Sequence, residues 1–280
     1  MAEKTNDGRA KTSRPSSDKS SPEKTPGKTR DTAPRPPKKI LAIDIGGSKI
    51  KILASGKTRP RKAPSHPDLT PLEMVKTVQE LAKGWDYEAV SIGYPGLAGD
   101  NGPRSEPWNL GSGWVGFNYA AAFDRPVRII NDAAMQALGS YEGGRMLFLG
   151  LGTGLGSTLI AENVVLPLEL GQLRHNGKES FADLVGKTGL RQLGKKAWRR
   201  VVVEMATLFA GALVAESVVI GGGNAELVGA LPHGMRTGGN QTAFRGGFRL
   251  WHLDDVRTHS AKTEHQDASA AAGEGGWRMI

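Results

Sequence analysis

The apolar positions of this chain fall into short runs broken by glycine turns. Ile40-Leu41-Ala42-Ile43 is a continuous apolar run that ends in Asp44-Ile45-Gly46-Gly47, and after the glycine pair Lys49 and Lys51 alternate with Ile50 and Ile52 as far as Leu53. A continuous run followed by period-two alternation reads as a buried strand, a glycine turn and a half-buried strand. From Pro71 the period changes: Leu72, Val75, Val78 and Leu81-Ala82 recur near 3.6 residues until Gly84, which predicts a helix. Val90-Ser91-Ile92 reads as a strand leading into a Gly-, Pro- and Asn-rich stretch over residues 93–116. A loop of that length inside a compact domain usually carries function, and Trp108, Trp114 and Phe117 within or beside it predict that it is ordered.

The second half repeats the first. A strand over residues 127–130 runs into Asn131-Asp132, a helix is predicted from Ala133 to Tyr141, and Gly143-Gly144 stops it. The run from Leu147 through Gly152-Thr153-Gly154 to Ile160, shifted back by 106 positions, overlays Leu41 to Gly47, with Gly152 falling on Gly46. One strand-turn-strand unit is therefore expected twice, as in a duplicated α/β fold. Residues 179–213 have a mainly helical pattern with Val201, Val202, Met205, Leu208 and Phe209 on one face, and Ser217-Val218-Val219-Ile220 reads as a buried strand entering Gly221-Gly222-Gly223-Asn224. A short helix is expected over residues 225–231.

Composition limits where structure can form. Residues 1–39 contain no Leu, Ile, Val, Phe, Trp or Tyr, and carry eleven basic against five acidic side chains. With nothing to bury against the entropy of ordering, they are expected to be a disordered basic tail. Residues 254–280 are polar, with three basic and five acidic side chains, and a disordered tail is expected there too. The folded part, expected as subdomains over residues 40–131 and 132–253, keeps 23 basic against 18 acidic side chains. Most of the surplus behind the net charge of +9 thus sits in a solubilising tail, so no specific nucleic-acid partner is expected. Cysteine is absent, which excludes disulfides and thiolate zinc sites, and no apolar run approaches the ~18 residues of a membrane span. A soluble, cytoplasmic protein is the expectation.

Several residues could carry chemistry, each with a plainer alternative. Glycine turns let main-chain N–H groups approach an anion closely, yet the turns at Gly46-Gly47 and Gly152-Gly154 also suit ordinary hairpins; their recurrence favours the phosphate reading. Asp44, at the end of a strand, could hold Mg²⁺ or merely cap its turn. Asp132 could be a helix cap, or a carboxylate at the carboxyl end of a strand where open α/β sheets bind ligands. Glu169, alone, would ordinarily be solvated. The six histidines are scattered and imply no zinc site.

Taken together, Asp44-x-Gly46-Gly47-Ser48-Lys49-Ile50, Gly93-x-Pro95-Gly96, Asn109 with Trp114, Asn131-Asp132-Ala133, Leu151-Gly152-Thr153-Gly154-x-Gly156, Glu169-Leu170-Gly171 and Gly221-Gly222-Gly223-Asn224 resemble, in order, the ROK family (repressor, open reading frame, kinase) of sugar kinases. Within it the chain is most similar to compact polyphosphate/ATP glucokinase-like proteins, over about residues 40–253. The resemblance implies an actin-like, hexokinase-type (RNase H-like) fold of two related α/β domains with the sugar in the cleft between them. It also implies an ATP- or polyphosphate-dependent kinase acting on the 6-hydroxyl of glucose or a related hexose, with Mg²⁺. By the same resemblance Asp132 is the general base, and Asn109, Asn131, Asp132 and Glu169 contact sugar hydroxyls. Asp44, Gly46, Gly47, Ser48, Lys49, Gly152, Thr153 and Gly154 face the donor phosphates, and Gly222 and Gly223 border the nucleotide. Homodimers are common in such proteins.

The sequence departs from the family pattern in three places. Gln172 stands where the family usually has His; it can bind a hydroxyl but carries no charge. That His and the family's zinc-binding cysteines are both absent, so zinc is not carried over. Glu179, Asp183 or neither fills the role of a further sugar-binding Glu. The stretch from Gln172 to Gly221 is short, leaving fewer helices to wall an adenine and making polyphosphate a plausible donor beside ATP. The alternatives are a sugar-responsive regulator, for which residues 1–39 offer too few apolar residues to pack a DNA-binding helix, and a non-catalytic sugar-binding relative.

Overall fold

The computed structural model describes residues 37–252 other than Asp100 and Asn240; both tails expected from the sequence, apart from residues 37–39, lie outside the described residues. In chain order the elements are β1 (Ile40–Ile45), β2 (Lys49–Ala54), β3 (Arg61–Pro64), α1 (Pro71–Leu81), β4 (Ala89–Tyr94), β5 (Ala98–Gly99), β6 (Gly102–Pro103), α2 (Tyr119–Phe123), β7 (Val127–Asn131), α3 (Asp132–Ser140), β8 (Met146–Leu151), β9 (Leu155–Ala161), β10 (Val164–Leu168), α4 (Phe181–Val185), α5 (Lys187–Ala212), β11 (Ser217–Gly221), β12 (Met235–Thr237) and α6 (Thr242–Arg249).

Two five-stranded sheets share one topology, β3-β2-β1-β4-β7 and β10-β9-β8-β11-β12. In each, the first three strands form an antiparallel meander and the last two run parallel to the central strand. The 106-residue offset therefore reflects a duplication of the whole sheet. Even the burial agrees: β1 and β8 are buried at every position but the fifth, which is Asp44 in one and Gly150 in the other. The partly open fifth position is what lets a side chain on β1 reach the site.

Helices begin where the sequence provides caps. Thr70 caps α1 in a reciprocal box, its hydroxyl accepting from the Glu73 N–H while its own N–H donates to the Glu73 carboxylate at 2.9 Å. α5 is broken at Gly194, whose φ of 69° and ψ of 158° suit glycine alone, so the helical pattern over residues 179–213 is three segments rather than one. Residues 225–231 form only a single 3-10 turn at Ala225–Leu227. The strands β3, β10 and β12 and the helices α2 and α6 were not expected: each is short, and Thr242–Arg249 has two glycines in eight residues.

Two helices join the halves. α3 packs on β8 and β9 of the second sheet, α6 packs on β1 and β4 of the first, and the two pack on each other. Their backbones meet through glycine: a Cβ on Gly139 would overlap the Thr242 carbonyl, and one on Gly246 the Met135 carbonyl. Arg249 donates to the carbonyls of Leu138 and Tyr141 at 2.7 and 2.8 Å, supplying a cation to the carboxyl end of α3. Behind α6, the buried Ser91 hydroxyl donates to the Gly247 carbonyl at 2.6 Å and accepts from the Trp251 indole at 2.8 Å. No helix among the described residues is long and apolar enough to cross a membrane.

Candidate active site

Asp132 is the first residue of α3, and the cap is its neighbour: the Asn131 side-chain oxygen accepts from the Ala134 N–H at 3.1 Å. The Asn131 amide also donates to the Gly96 carbonyl at 3.1 Å, fixing this side chain against the loop after β4. The plain capping explanation for Asp132 therefore fails, because the capping is done by Asn131. One Asp132 oxygen accepts from the Ala133 N–H at 2.8 Å, which favours the charged form, but burial and the nearby carboxylates of Asp44 and Glu169 outweigh it. Burial is the largest influence, and the Asp132 carboxyl is pushed up to about 7. A carboxyl poised near neutrality can take a proton at physiological pH and give it up afterwards.

Asp44 and Glu169, from distant parts of the chain, thus lie near enough for their charge to act on Asp132. Asp44 comes from β1, where its carboxylate pairs with Lys51 of the adjacent strand at 3.1 Å and is only 13% exposed. Glu169 follows β10 and opens a 3-10 turn that Gln172 closes by donating its N–H to the Glu169 carbonyl at 3.0 Å. Partial burial raises the Glu169 carboxyl as well. Gln172 itself is exposed.

The first glycine turn closes through a bond from the Gly46 N–H to the Lys49 carbonyl at 3.0 Å, and the second through one from the Gly152 N–H to the Gly154 carbonyl at 3.1 Å. The leading glycine of each turn thus spends its donor on the turn. The N–H groups of Gly47 and Ser48, and of Thr153 and Gly154, make no hydrogen bond among the described residues and are the ones that could meet an anion. Asn109 lies over Gly47, where a Cβ would strike its amide, so a sugar-binding candidate from the long loop reaches the first turn. Lys49 is exposed beside it.

The second turn is backed by the glycine segment after β11. Gly222 has a φ of 82° and no room for a Cβ against the Leu151 backbone, while Asn224 donates its N–H to the Leu151 carbonyl at 3.0 Å and its amide to the Gly152 carbonyl at 3.3 Å. Gly223 is open. Of the three aromatic residues expected to order the long loop, Trp114 is fully buried and Phe117 partly so, whereas Trp108 is 94% exposed and anchors nothing. Glu106 does that work instead, its two oxygens accepting from the Trp114 and Val115 N–H groups at 3.1 and 3.2 Å. An acid eight and nine residues before the N–H groups it holds leaves no periodic signal in the sequence.

Among the described residues, no three His, Cys, Asp or Glu converge into a metal cage. Mg²⁺ is commonly held by only one or two carboxylates, with water and substrate phosphates completing its shell, and Asp44 fits that lesser requirement.

No family model matches the chain. Polyphosphate glucokinase from Mycobacterium leprae is 28% identical over 204 residues, a match that covers 66% of this chain and 59% of the relative, so the chain spans less than two thirds of that protein. Among solved structures, inorganic polyphosphate/ATP-glucomannokinase from Arthrobacter sp. strain KM superposes with a TM-score of 0.66 at 22% identity, over 78% of this chain and 99% of that one. A ROK family glucokinase from Streptomyces griseus, solved with glucose and AMPPNP, gives a TM-score of 0.60 at 18% identity, over 76% of this chain and 98% of that one. The chain has the actin-like fold of these ROK sugar kinases.

Proposed function

We propose that this protein is a hexose kinase that moves the terminal phosphoryl group of polyphosphate or ATP to the 6-hydroxyl of glucose or a related hexose. The observation that carries the reading is Asp132: a carboxyl relieved of capping duty by Asn131 and held near neutrality beside Asp44 and Glu169. In the proposed step the sugar oxygen attacks the terminal phosphorus as its proton passes to Asp132, and the bond to the bridging oxygen of the donor breaks. Asn109, Asn131, Glu169 and Gln172 would orient the sugar hydroxyls; Asn131 keeps a second amide hydrogen for this, since its oxygen and one hydrogen serve the fold. The N–H groups of Gly47, Ser48, Thr153 and Gly154 would meet the charge on the equatorial oxygens, with Lys49 alongside and Gly222-Gly223 bordering the remainder of the donor. Mg²⁺, held through Asp44 and donor oxygens, would supply charge neutralisation.

A regulator or inert sugar-binding protein needs no base, and the arrangement around Asp132 favours catalysis over both. The test is glucose 6-phosphate formation, assayed side by side with ATP and with polyphosphate in the presence of Mg²⁺. Product from either donor supports the reading; binding of glucose without turnover from either contradicts it.

A further inference from the structure

The first half of α5 carries more positive charge than its structure explains. Between Lys187 and Arg200 there are six basic side chains and no acid. Arg199 is committed, its guanidinium donating to the Val228 carbonyl. The other five, Lys187, Arg191, Lys195, Lys196 and Arg200, are exposed and enter no ion pair among the described residues. Their placement works against the helix. Cations near an amino terminus oppose the helix dipole, and like charges four apart, as at Lys196 and Arg200, repel. The helix is secured from its other face, where Trp198 is buried and donates to the Val185 carbonyl at 2.8 Å, with Val202, Met205 and Phe209 packed beyond it. Nothing in the packing therefore calls for these charges.

The start of this helix abuts the second glycine turn. The Lys187 N–H donates to the Thr153 carbonyl at 3.3 Å, and Gly186 lies so close that a Cβ there would strike that same carbonyl. From Lys187 the cations continue along both segments of α5, across the break at Gly194, as far as Arg200. We propose that they hold the trailing units of a long inorganic polyphosphate whose terminal unit lies at the Gly152-Gly154 turn. The inference rests on the kinase reading and adds to it a length preference: donors longer than the glycine turns gain contacts that short ones lack. A nucleic acid suits this surface less well. Single-stranded binders interleave cations with exposed aromatic platforms, and the one aromatic residue between Lys187 and Arg200 is the buried Trp198.

The test is calorimetric titration of the full chain with long-chain polyphosphate and with tripolyphosphate, comparing wild type with the quadruple variant Arg191→Ala/Lys195→Ala/Lys196→Ala/Arg200→Ala. Affinity for the long chain is expected to fall at least tenfold and that for tripolyphosphate less than twofold. A double variant, Lys196→Ala/Arg200→Ala, on the face turned from the core, gives the same comparison if the quadruple variant does not fold, with an expected loss of about threefold for the long chain. The inference is overturned if long-chain affinity stays within twofold of wild type, if both lengths lose equally, or if single-stranded RNA of matched charge displaces polyphosphate from the wild type as well as polyphosphate itself does. Binding is read without turnover, so a wild type that prefers long chains but makes no glucose 6-phosphate contradicts the kinase reading alone.

Discussion

At Asp132 stability and chemistry pull in opposite directions. Its carboxyl is raised to about 7 by burial first and by Asp44 and Glu169 next, so the native state keeps a proton that the unfolded chain releases near the ordinary value of 3.8. The native state then binds more protons than the unfolded one between these values, and the associated stability is fully present below about pH 4 and lost as pH rises through 7. Wild type is accordingly expected to melt with Asp132→Asn at pH 4 and at least about 2 °C below it at pH 7.5, the shift that ~1 kcal/mol gives in a domain of this size; thermal melts across that range check it. Activity should move the other way. With wild type, kcat/KM for glucose should rise about tenfold per pH unit below 7 and level off above it, the profile of a base that must first lose its proton. Asp132 was legible in the sequence only as an alternative between cap and base, because Asn131 and Asp132 are both good caps and nothing but the dihedral angles at Asn131 decides which one serves. Asn109 at the first turn and the nearness of Asp44 and Glu169 to Asp132 are long-range facts, and only the family resemblance pointed to them.

Of the two helices that join the halves, α3 was readable and α6 was hidden. α6 shows two glycines where a helix former would be expected, and those glycines are what let it lie against α3 and β1. Gly246→Val should place side-chain atoms on the Met135 carbonyl and lower the melting temperature by at least about 2 °C, as overpacking of ~1–3 kcal/mol would. Gly211→Ala is the contrast: nothing lies within 4 Å of a Cβ there and the site is helical, so stability should rise by up to ~1 kcal/mol. Denaturant melts of the two variants separate close packing from helix propensity. By contrast β1, β2, α1, β4, α3, β8, β9 and β11 were readable from hydrophobic period and capping, since each has a buried stripe long enough to show its period, and β7, where only Ile130 is buried, was readable as the short apolar run before Asn131-Asp132. β3, β10 and β12 have three to five residues and no such stripe. The repeat pairs β12 with the readable β7, a stronger guide to β12 than its own composition, whereas β10 has only the equally short β3 as its counterpart.

For the whole molecule, the duplicated sheets put Asp44 and its turn on one half and the Gly152-Gly154 turn on the other, with Asp132 at the start of the helix that joins them. Glycine turns that bind phosphate, as proposed, make no use of an adenine base, and the cations of α5 continue from the second of them, so polyphosphate is expected to be used at least as efficiently as ATP. Comparing kcat/KM for the two donors at equal Mg²⁺ checks this: an ATP value more than about tenfold higher, ~1.4 kcal/mol in transition-state stabilisation, would reverse the donor preference and leave the kinase reading standing. The role of Asp132 as base is tested most directly by the rate of glucose 6-phosphate formation by wild type and by Asp132→Asn at saturating glucose, donor and Mg²⁺, with glucose affinity measured on both. A base at Asp132 should give product from the wild type, a rate at least about a hundredfold lower in the variant, and glucose affinity within a few fold of wild type; product at equal rates from both proteins, or none from the wild type with either donor, would contradict that role.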